Sequence, residues 1–179
     1  MAWDTEASMV NALPQDGTYV NPRPTVFDDS GTIKLILGDA GGNFYGYYWN
    51  GSTWVSDSSI VTGLSGVPEF SAPTVFNDSG TWKLISGSSG TDCYGYYWNG
   101  STWVSDSSIV TGLPTSGIPI STPFVYDDGG NFKLIIGNIS GFDGFYWNGS
   151  SWISDSSIVT GLPTNLTLLV LVFMKITEN

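Results

Sequence analysis

Short apolar segments rich in β-branched and aromatic residues alternate with polar turn clusters along almost the whole chain. Glycine, proline and asparagine fall every eight to twelve residues or so, which is typical of all-β chains. In the middle of the chain this pattern predicts strands at residues 73–76, 82–85 and 94–98, and a fourth running from 102 through 104 toward 109. No helix is predicted, so the unit is expected to be a four-stranded antiparallel meander.

The same pattern occurs three times. Residues 45–64 and 94–113 are identical, and residues 145–162 repeat most of the same segment. Trp49, Trp98 and Trp147 mark equivalent positions, each 49 residues from the next. A fixed period of this length indicates one supersecondary unit that is stacked side by side.

The hairpin between the third and fourth predicted strands indicates how the units pack. Asn50 and Gly51 favour a two-residue type I′ turn, which would pair Trp49 with Ser52 and Tyr47 with Trp54. Both faces of the resulting sheet are apolar, whereas a sheet with one wet face would alternate between apolar and polar residues. The sheet therefore needs a neighbour on each side, and the fold predicted is an all-β β-propeller with three four-stranded blades of about 49 residues.

The chain is expected to form a single repeat domain over residues 1–179. Its parts are an N-terminal outer strand at 1–22, blades at 23–71, 72–121 and 122–164, and a C-terminal strand at 165–179. The first part is assigned because Trp3 aligns with Trp103, and residues 9–14 align with 109–114. The apolar stretch 166–176 is shorter than the roughly 20 residues that span a bilayer, so it is predicted to be a buried strand.

Three blades are too few to close a ring, because closed propellers have about four to eight. Two chains would supply six blades, so the partner predicted first is a second copy of the chain in a two-fold dimer. Two alternatives stay open. The chain is a fragment of a longer array, or it closes alone as a small four-part ring that uses both terminal strands.

Composition limits the function. Five Lys and Arg face sixteen Asp and Glu, and the resulting net charge of −11 disfavours nucleic acid and anionic lipid as partners. The chain contains no His and one cysteine, which excludes Ser-His-Asp and Cys-His nucleophile systems and an intrachain disulfide. Cys93 is predicted to be a small buried hydrophobic residue. A hydrolase or lyase would have to use carboxylates alone, and no catalytic residue is predicted.

The segment 24–51 carries the cadence of each repeat, PTVFDDSGTIKLILGDAGGNFYGYYWNG. It resembles the FG-GAP or VCBS-type repeat of integrin-like propellers, which is found in microbial surface proteins. The resemblance implies a propeller, an extracellular or cell-surface location, and adhesion or ligand binding rather than catalysis. The first residues lack the basic start and apolar run of a signal peptide, so none is predicted in this chain.

The calcium loops of that family have the form D-x-D-x-D-G-x-x-D. The corresponding turns here, at 28–31, 77–80 and 127–130, place two acidic or amide residues side by side instead. Basic residues stand where a further acid is expected, at Lys34, Lys83 and Lys133. Since calcium takes six to eight oxygen ligands, plain turns are predicted, with no cofactor and no metal ligands. A calcium site is the disfavoured alternative.

The candidate ligand-binding residues are aromatic and acidic. Trp49, Trp98 and Trp147 precede the Asn-Gly turns, and indole faces stack on sugar rings, although packing between blades is the favoured role of these side chains. The acidic candidates of the repeated SDSS segment are Asp57, Asp106 and Asp155. Those in or near the loops after the second strands are Asp39, Asp92 and Asp143. Polar edges that block aggregation explain the SDSS acids equally well.

The sequence therefore predicts a non-enzymatic binding or adhesion module that displays repeated weak sites. Glycans are the ligand class that the aromatic and acidic candidates favour, in the manner of a lectin, and a surface protein is a second possible partner. The alternative is a structural unit that assembles with itself and takes no small ligand.

Overall fold

The computed structural model describes residues 13, 22–64, 71–88, 92–115, 123–138 and 141–163. These residues form three four-stranded antiparallel sheets and no α-helix. The first sheet contains β1 (Arg23–Asp29), β2 (Thr32–Gly38), β3 (Phe44–Trp49) and β4 (Trp54–Ser56). The second contains β5 (Ala72–Asp78), β6 (Thr81–Gly87), β7 (Tyr94–Trp98) and β8 (Trp103–Ser105). The third contains β9 (Pro123–Asp127), β10 (Phe132–Asn138), β11 (Gly141–Trp147) and β12 (Trp152–Ser154).

Each sheet keeps the order of its strands along the chain, which confirms the predicted meander. The first and last strands of each unit are the two edge strands of its sheet. The predicted all-β class and the three four-stranded units are confirmed over the described residues.

The type I′ turn lies at a different hairpin from the one predicted. Ser30 and Gly31 join β1 to β2 with φ values of 55° and 89°, and such positive values at both positions define this turn. The predicted pairing around Asn50 is wrong, because Trp49 pairs with Trp54 rather than with Ser52. The Asn50 Oδ1 atom accepts hydrogen bonds from two following amides and stabilises a wider loop. Since the register shifts by two residues, every side chain keeps its predicted face.

The fourth strand is also shorter than predicted, and a 3-10 helix follows it. The three helices are Ser58–Val61, Ser107–Val110 and Ser156–Val159. A glycine lies beneath each of them. At Gly46 an added Cβ would stand 2.5 Å from the carbonyl oxygen of Asp57, so no larger residue fits under the helix.

The sheets pack face to face in chain order. A buried cluster joins the first two sheets and contains Phe27, Ile36, Ile60, Leu84, Tyr96, Trp98 and Trp103. A second cluster joins the second and third sheets and contains Phe76, Ile85, Ile109, Leu113, Leu134, Ile136, Phe145, Trp147 and Trp152. Both faces of the second sheet are therefore buried, as its apolar pattern predicted. Cys93 packs against the second cluster but is half-buried rather than fully buried.

Leu13 is described in isolation at the start of the chain. It packs on the outward face of the first sheet, against Leu35, Leu37 and Tyr47. The rest of the predicted N-terminal outer strand and the predicted C-terminal strand lie outside the described residues. Within the described ranges no helix is long and apolar enough to cross a membrane.

Candidate functional site

A cleft of about 400 Å³ opens between the first and second sheets. Three turns and the strand ends beside them form its walls, and all of them lie at the same end of the two sheets. Its lining residues are Asp28, Asp29, Ser30, Asn77, Gly80, Trp82, Trp98, Asn99 and Gly100. The cleft exists because the sheets pack closely through their apolar faces while their polar turns stand apart.

Trp82 forms one wall of the cleft. Its indole nitrogen donates a 2.8 Å hydrogen bond to the carbonyl oxygen of Asp28, which ties the second sheet to the first. Its ring lies 5.7 Å from the ring of Phe27. Ile33 and Phe132 occupy the equivalent positions in the other two sheets. Among these three equivalent positions, only that of the second sheet carries an indole.

Trp98 lies deeper in the same cleft, with 8% of its surface exposed. Its indole N–H is buried and has no hydrogen-bond acceptor among the described residues. At the next junction the equivalent Trp147 donates to Asp78 Oδ2 over 3.1 Å. Buried donors are almost always paired, so the lack of an acceptor for the Trp98 N–H among the described residues is unusual.

A lysine borders each of these tryptophans. Lys34 Nζ stands 4.7 Å from the centre of a Trp98 ring and 2.5 Å from Asp29 Oδ2. This position combines a cation–π contact with an ion pair. Lys83 has the same relation to Trp147, also at 4.7 Å. Lys34 and Lys83, two of the three lysines at positions where the sequence departs from a calcium loop, thus belong to the junctions between sheets.

The rim of the cleft carries hydrogen-bonding groups that are only partly used. Asp28 Oδ1 accepts a 2.6 Å bond from the amide of Gly31, and Asn77 Oδ1 accepts one of 2.8 Å from the amide of Gly80. Among the described residues, Asp28 Oδ2 and Asn77 Nδ2 make no further hydrogen bond. An acceptor and a donor therefore remain at the rim beside the Trp82 indole.

Asp78 shows how the second junction differs in charge. Burial opposes ionisation of this carboxyl, but hydrogen bonds and the charge of Lys83, with the Trp147 indole, outweigh it and lower the pKa of Asp78 below its ordinary value. The carboxylate is therefore ionised, and it accepts hydrogen bonds from Lys83, Trp147 and Ser79. Asp78 accepts the indole N–H of Trp147, whereas no described residue accepts that of Trp98.

Of the three tryptophans named from sequence, only Trp98 lies in this cleft. Trp147 is buried between the second and third sheets. Trp49 lies on the outward face of the first sheet, with its ring 5.4 Å from that of Trp54. Trp98 and Trp147 pack between sheets, as the sequence predicts, and Trp98 also lines the cleft.

The acids of the repeated SDSS segment cap the 3-10 helices and lie outside the cleft. Asp57 Oδ1 accepts a 2.9 Å hydrogen bond from the amide of Ser59. Hydrogen bonds from the side chain and backbone of Ser59 lower the pKa of Asp57. Asp106 and Asp155 repeat this arrangement with Ser108 and Ser157. Their predicted place on the outer strand is wrong, because the strand ends one residue earlier and the helix begins there.

The three acids assigned to loops are not equivalent in the structure. Asp39 is 5% exposed and accepts hydrogen bonds from the Asn43 amide at 2.8 Å and the Tyr45 hydroxyl at 3.2 Å. Burial of Asp39 raises its pKa, but the hydrogen bonds outweigh burial. The pKa of Asp39 therefore lies below its usual value. Asp92 is half-buried just before β7. Asp143 is the third residue of β11, opposite Ile136. None of the three lines the cleft.

Sequence reasoning missed Asp28, Asn77 and Trp82 as cleft residues. A departure from the repeat was the available indication, because Trp82 replaces a smaller apolar residue at one position of one unit. In the described ranges, no group of three or more His, Cys, Asp or Glu is placed to hold a metal ion. The turn acids Asp29, Asp78 and Asp128 are each paired with a lysine.

Comparison with known proteins finds likeness in structure alone. No protein-family model matches the chain, and no curated protein sequence matches it. SapL1 lectin, solved in complex with α-methyl fucoside, is 16% identical with a TM-score of 0.51; the match covers 82% of this chain and 48% of that one. A fucose lectin from Kordia zhangzhouensis is 17% identical with a TM-score of 0.46, covering 74% and 97%. A GH43_1 enzyme from Xanthomonas citri is 13% identical with a TM-score of 0.48, covering 73% and 54%.

The likeness to SapL1 lectin is one of fold. The chain spans about half the length of that protein. The resemblance to FG-GAP or VCBS-type repeats stays a prediction from sequence.

Proposed function

We propose that the chain is a non-enzymatic carbohydrate-binding module whose three stacked sheets are blades of a β-propeller. The cleft between the first and second sheets is the site that takes the sugar. One observation carries the proposal: the indole N–H of Trp98 is buried without an acceptor among the described residues, and the same side chain lines a cleft that also holds an indole wall and a carboxylate.

A sugar matches these groups by its chemistry. A ring or hydroxyl oxygen accepts the hydrogen bond that Trp98 offers, and a neighbouring hydroxyl donates to the Asp28 carboxylate. The apolar C–H face of a pyranose packs against an indole such as Trp82. An anionic ligand fits poorly, because the chain has a net charge of −11 and the rim holds Asp28 and Asp29. The ligand class proposed is thus a neutral glycan.

The likeness in fold to SapL1 lectin, a protein solved with α-methyl fucoside, supports this class of function. It does not select among sugars, because the two chains are 16% identical. Display outside the cell or on its surface, where glycans are met, is part of the proposal.

Binding without catalysis is supported by the carboxyl groups. Glycoside hydrolysis uses a pair of carboxyls, one of which is kept protonated by a raised pKa. In the described ranges, the carboxyls with a displaced pKa are Asp39, Asp57, Asp78, Asp106 and Asp155, and the pKa of each is displaced downward. These groups are ionised at neutral pH and are occupied by hydrogen bonds of the fold, so none of them is a general acid.

The sequence predicts repeated weak sites, whereas the proposed module has one site in the chain. At the second junction Asp78 already accepts the Trp147 N–H, and Phe132 replaces the indole wall. Weak single sites of this kind gain avidity when several are joined in one assembly.

The test compares two Asp→Asn variants. Asp28→Asn removes the charge of the cleft carboxylate and keeps the turn, because Asn77 makes the same bond to the glycine amide in the second sheet. Asp127→Asn changes the equivalent turn of the third sheet, where the side chain also holds a glycine amide at 2.6 Å. Glycans that bind the wild type on an array are then titrated by calorimetry. We expect Asp28→Asn to weaken binding about tenfold, or about 1.4 kcal/mol, and Asp127→Asn to leave it unchanged.

Equal affinities for the wild type and Asp28→Asn would remove the cleft from the proposal. Failure of every glycan to bind the wild type would favour the second candidate, a structural unit that assembles with itself. The observation that favours this second candidate is the pair of open apolar faces at the ends of the stack.

A further inference from the structure

We propose that a second copy of the chain docks head to tail, with the outward face of the third sheet of one copy against the outward face of the first sheet of the other. This inference is independent of sugar binding. It rests on the two end faces of the stack. Their residues are equivalent to those of the two faces that meet at each junction inside the chain.

Both end faces expose large apolar side chains. On the first sheet Val26 is 52% exposed and Ile33 is 38% exposed. On the third sheet Phe124 is 59% exposed, and Tyr146 and Ile153 are also exposed. Contiguous apolar surface of this kind marks an interaction site on a soluble chain.

The side chains at the two ends match the partners in the internal junctions. Phe27 of the first sheet packs on Trp82 of the second at 5.7 Å, and Phe76 packs on Phe132 at 5.2 Å. Tyr126 occupies, in the third sheet, the position of Phe27 and Phe76. Ile33 occupies, in the first sheet, the position of Trp82 and Phe132. Docking of a second copy would place Tyr126 on Ile33 in the manner of the two internal contacts.

The cation–π contacts of the internal junctions point to the same pairing. Lys34 lies over Trp98 and Lys83 lies over Trp147, each at 4.7 Å. In the third sheet Lys133 is equivalent to Lys34 and Lys83. In the first sheet Trp49 is equivalent to Trp98 and Trp147. Among the described residues no ring lies under Lys133 and no cation lies over Trp49. A second copy would bring the two together across the new junction.

Leu13 limits the contact to the inner part of the faces. Leu64 and Leu113, at the end of one unit, pack on the sheet that follows. Leu13 aligns with them in sequence and packs on the equivalent residues of the first sheet, among them Leu35 and Tyr47. The outer part of that face is therefore occupied by the chain itself. Val26 and Ile33 of the inner strands remain for the second copy.

Two copies joined in this way contain six sheets, within the range of about four to eight at which propellers close. A head-to-tail contact forms a ring when its rotation closes and an open filament when it does not. With three sheets in each chain, a two-fold ring uses both end faces of both copies and leaves none exposed.

The test is solution mass by sedimentation equilibrium. The wild type is expected at about twice the 19.2 kDa of one chain. Val26→Asp and Phe124→Asp each place a charge in the proposed junction, and both positions are exposed in the single chain, so folding is retained. Each variant alone is expected to be monomeric. Their equimolar mixture is expected to recover a dimer, because the unaltered third sheet of one variant meets the unaltered first sheet of the other.

Ser107→Asp, on an exposed helix of the middle sheet, is the matched control and should remain dimeric. A wild type that is monomeric up to high concentration would overturn the proposal. A dimer that is broken by Phe124→Asp but kept by Val26→Asp would also overturn it, since that result indicates two third sheets in contact. Near-ultraviolet circular dichroism of each variant confirms that a lost dimer is not lost folding.

Discussion

The indole nitrogen of Trp103 lies 2.9 Å from the carbonyl oxygen of Ile60 in the preceding unit. The backbone amide of the same tryptophan donates to the carbonyl of Thr62, also at 2.9 Å. Trp152 repeats both bonds with Ile109 and Thr111. The last strands of the second and third sheets are thus hydrogen-bonded to the helix, and to the residue after it, in the unit before them.

Replacing Trp103 with Phe should destabilise the fold by more than replacing Trp98 with Phe. Both changes remove similar apolar volume, but only the first leaves a buried carbonyl, that of Ile60, without its donor. An unsatisfied buried group costs about 1–3 kcal/mol, and we expect a difference of that size in the free energy of unfolding in urea. Equal losses for the two variants would show that the indole bond adds nothing to the junction.

Gly112→Ala and Gly161→Ala form a matched pair for the packing between sheets. Both glycines have positive φ, 89° and 87°, so each substitution carries a backbone cost of about 1–2 kcal/mol. A Cβ at Gly112 would also collide with the carbonyl oxygen of Trp152, whereas nothing lies within 4 Å at Gly161. We expect a clearly larger fall in melting temperature for Gly112→Ala. Similar falls would contradict the close approach of the second and third sheets.

Asp106→Ala should lower stability by about 1 kcal/mol through loss of the helix cap. Asp106→Asn should keep most of it, because an amide oxygen also accepts the bond from the Ser108 amide. Neither change should alter carbohydrate affinity, which separates the capping role from the ligand role considered in the sequence. A loss of glycan binding in both variants, with stability intact, would restore the ligand role.

Acid should destabilise the protein below about pH 4. The pKa values of Asp78 and Asp106 in the folded chain lie below the ordinary value of 3.8. A carboxyl of this kind binds its proton more readily when the chain unfolds, so its contribution is complete above the unfolded pKa and is lost as the pH falls through the folded value. The free energy of unfolding should therefore be level above about pH 5 and decline below about 4. Asp78→Asn should reduce that decline, and an unchanged slope would exclude Asp78 as a source.

The sequence predicts most of the scaffold, because the alternation of apolar and polar residues determines strands and faces without knowledge of the contacts. The hairpin register was missed because the Asn50 side chain bonds to two backbone amides, an interaction that outweighs the preference of Asn-Gly for a two-residue turn. The 3-10 helices were missed because four residues give no periodic pattern. Asp57 before Ser59 was the available indication of a cap.

The cleft was less predictable than the scaffold. Trp98 was named as a candidate, but its orphan N–H depends on where Asp29 and Lys34 lie after two sheets have packed. Asp28 and Trp82 come from different units, 54 residues apart in the sequence. Their proximity follows from the offset between stacked sheets, which a repeat period alone does not define.

The central claim is that the Trp98 indole N–H donates a hydrogen bond to the bound sugar. Nuclear magnetic resonance of the ¹⁵N-labelled indoles tests it most directly, with the Trp98 resonance assigned by its absence in Trp98→Phe. Methyl glycosides of neutral sugars are titrated in turn. The account predicts that a binding glycoside shifts the Trp98 resonance to saturation and leaves those of Trp103 and Trp152 in place. A glycoside that binds while Trp98 stays unmoved, or a full series that shifts no indole, would contradict it.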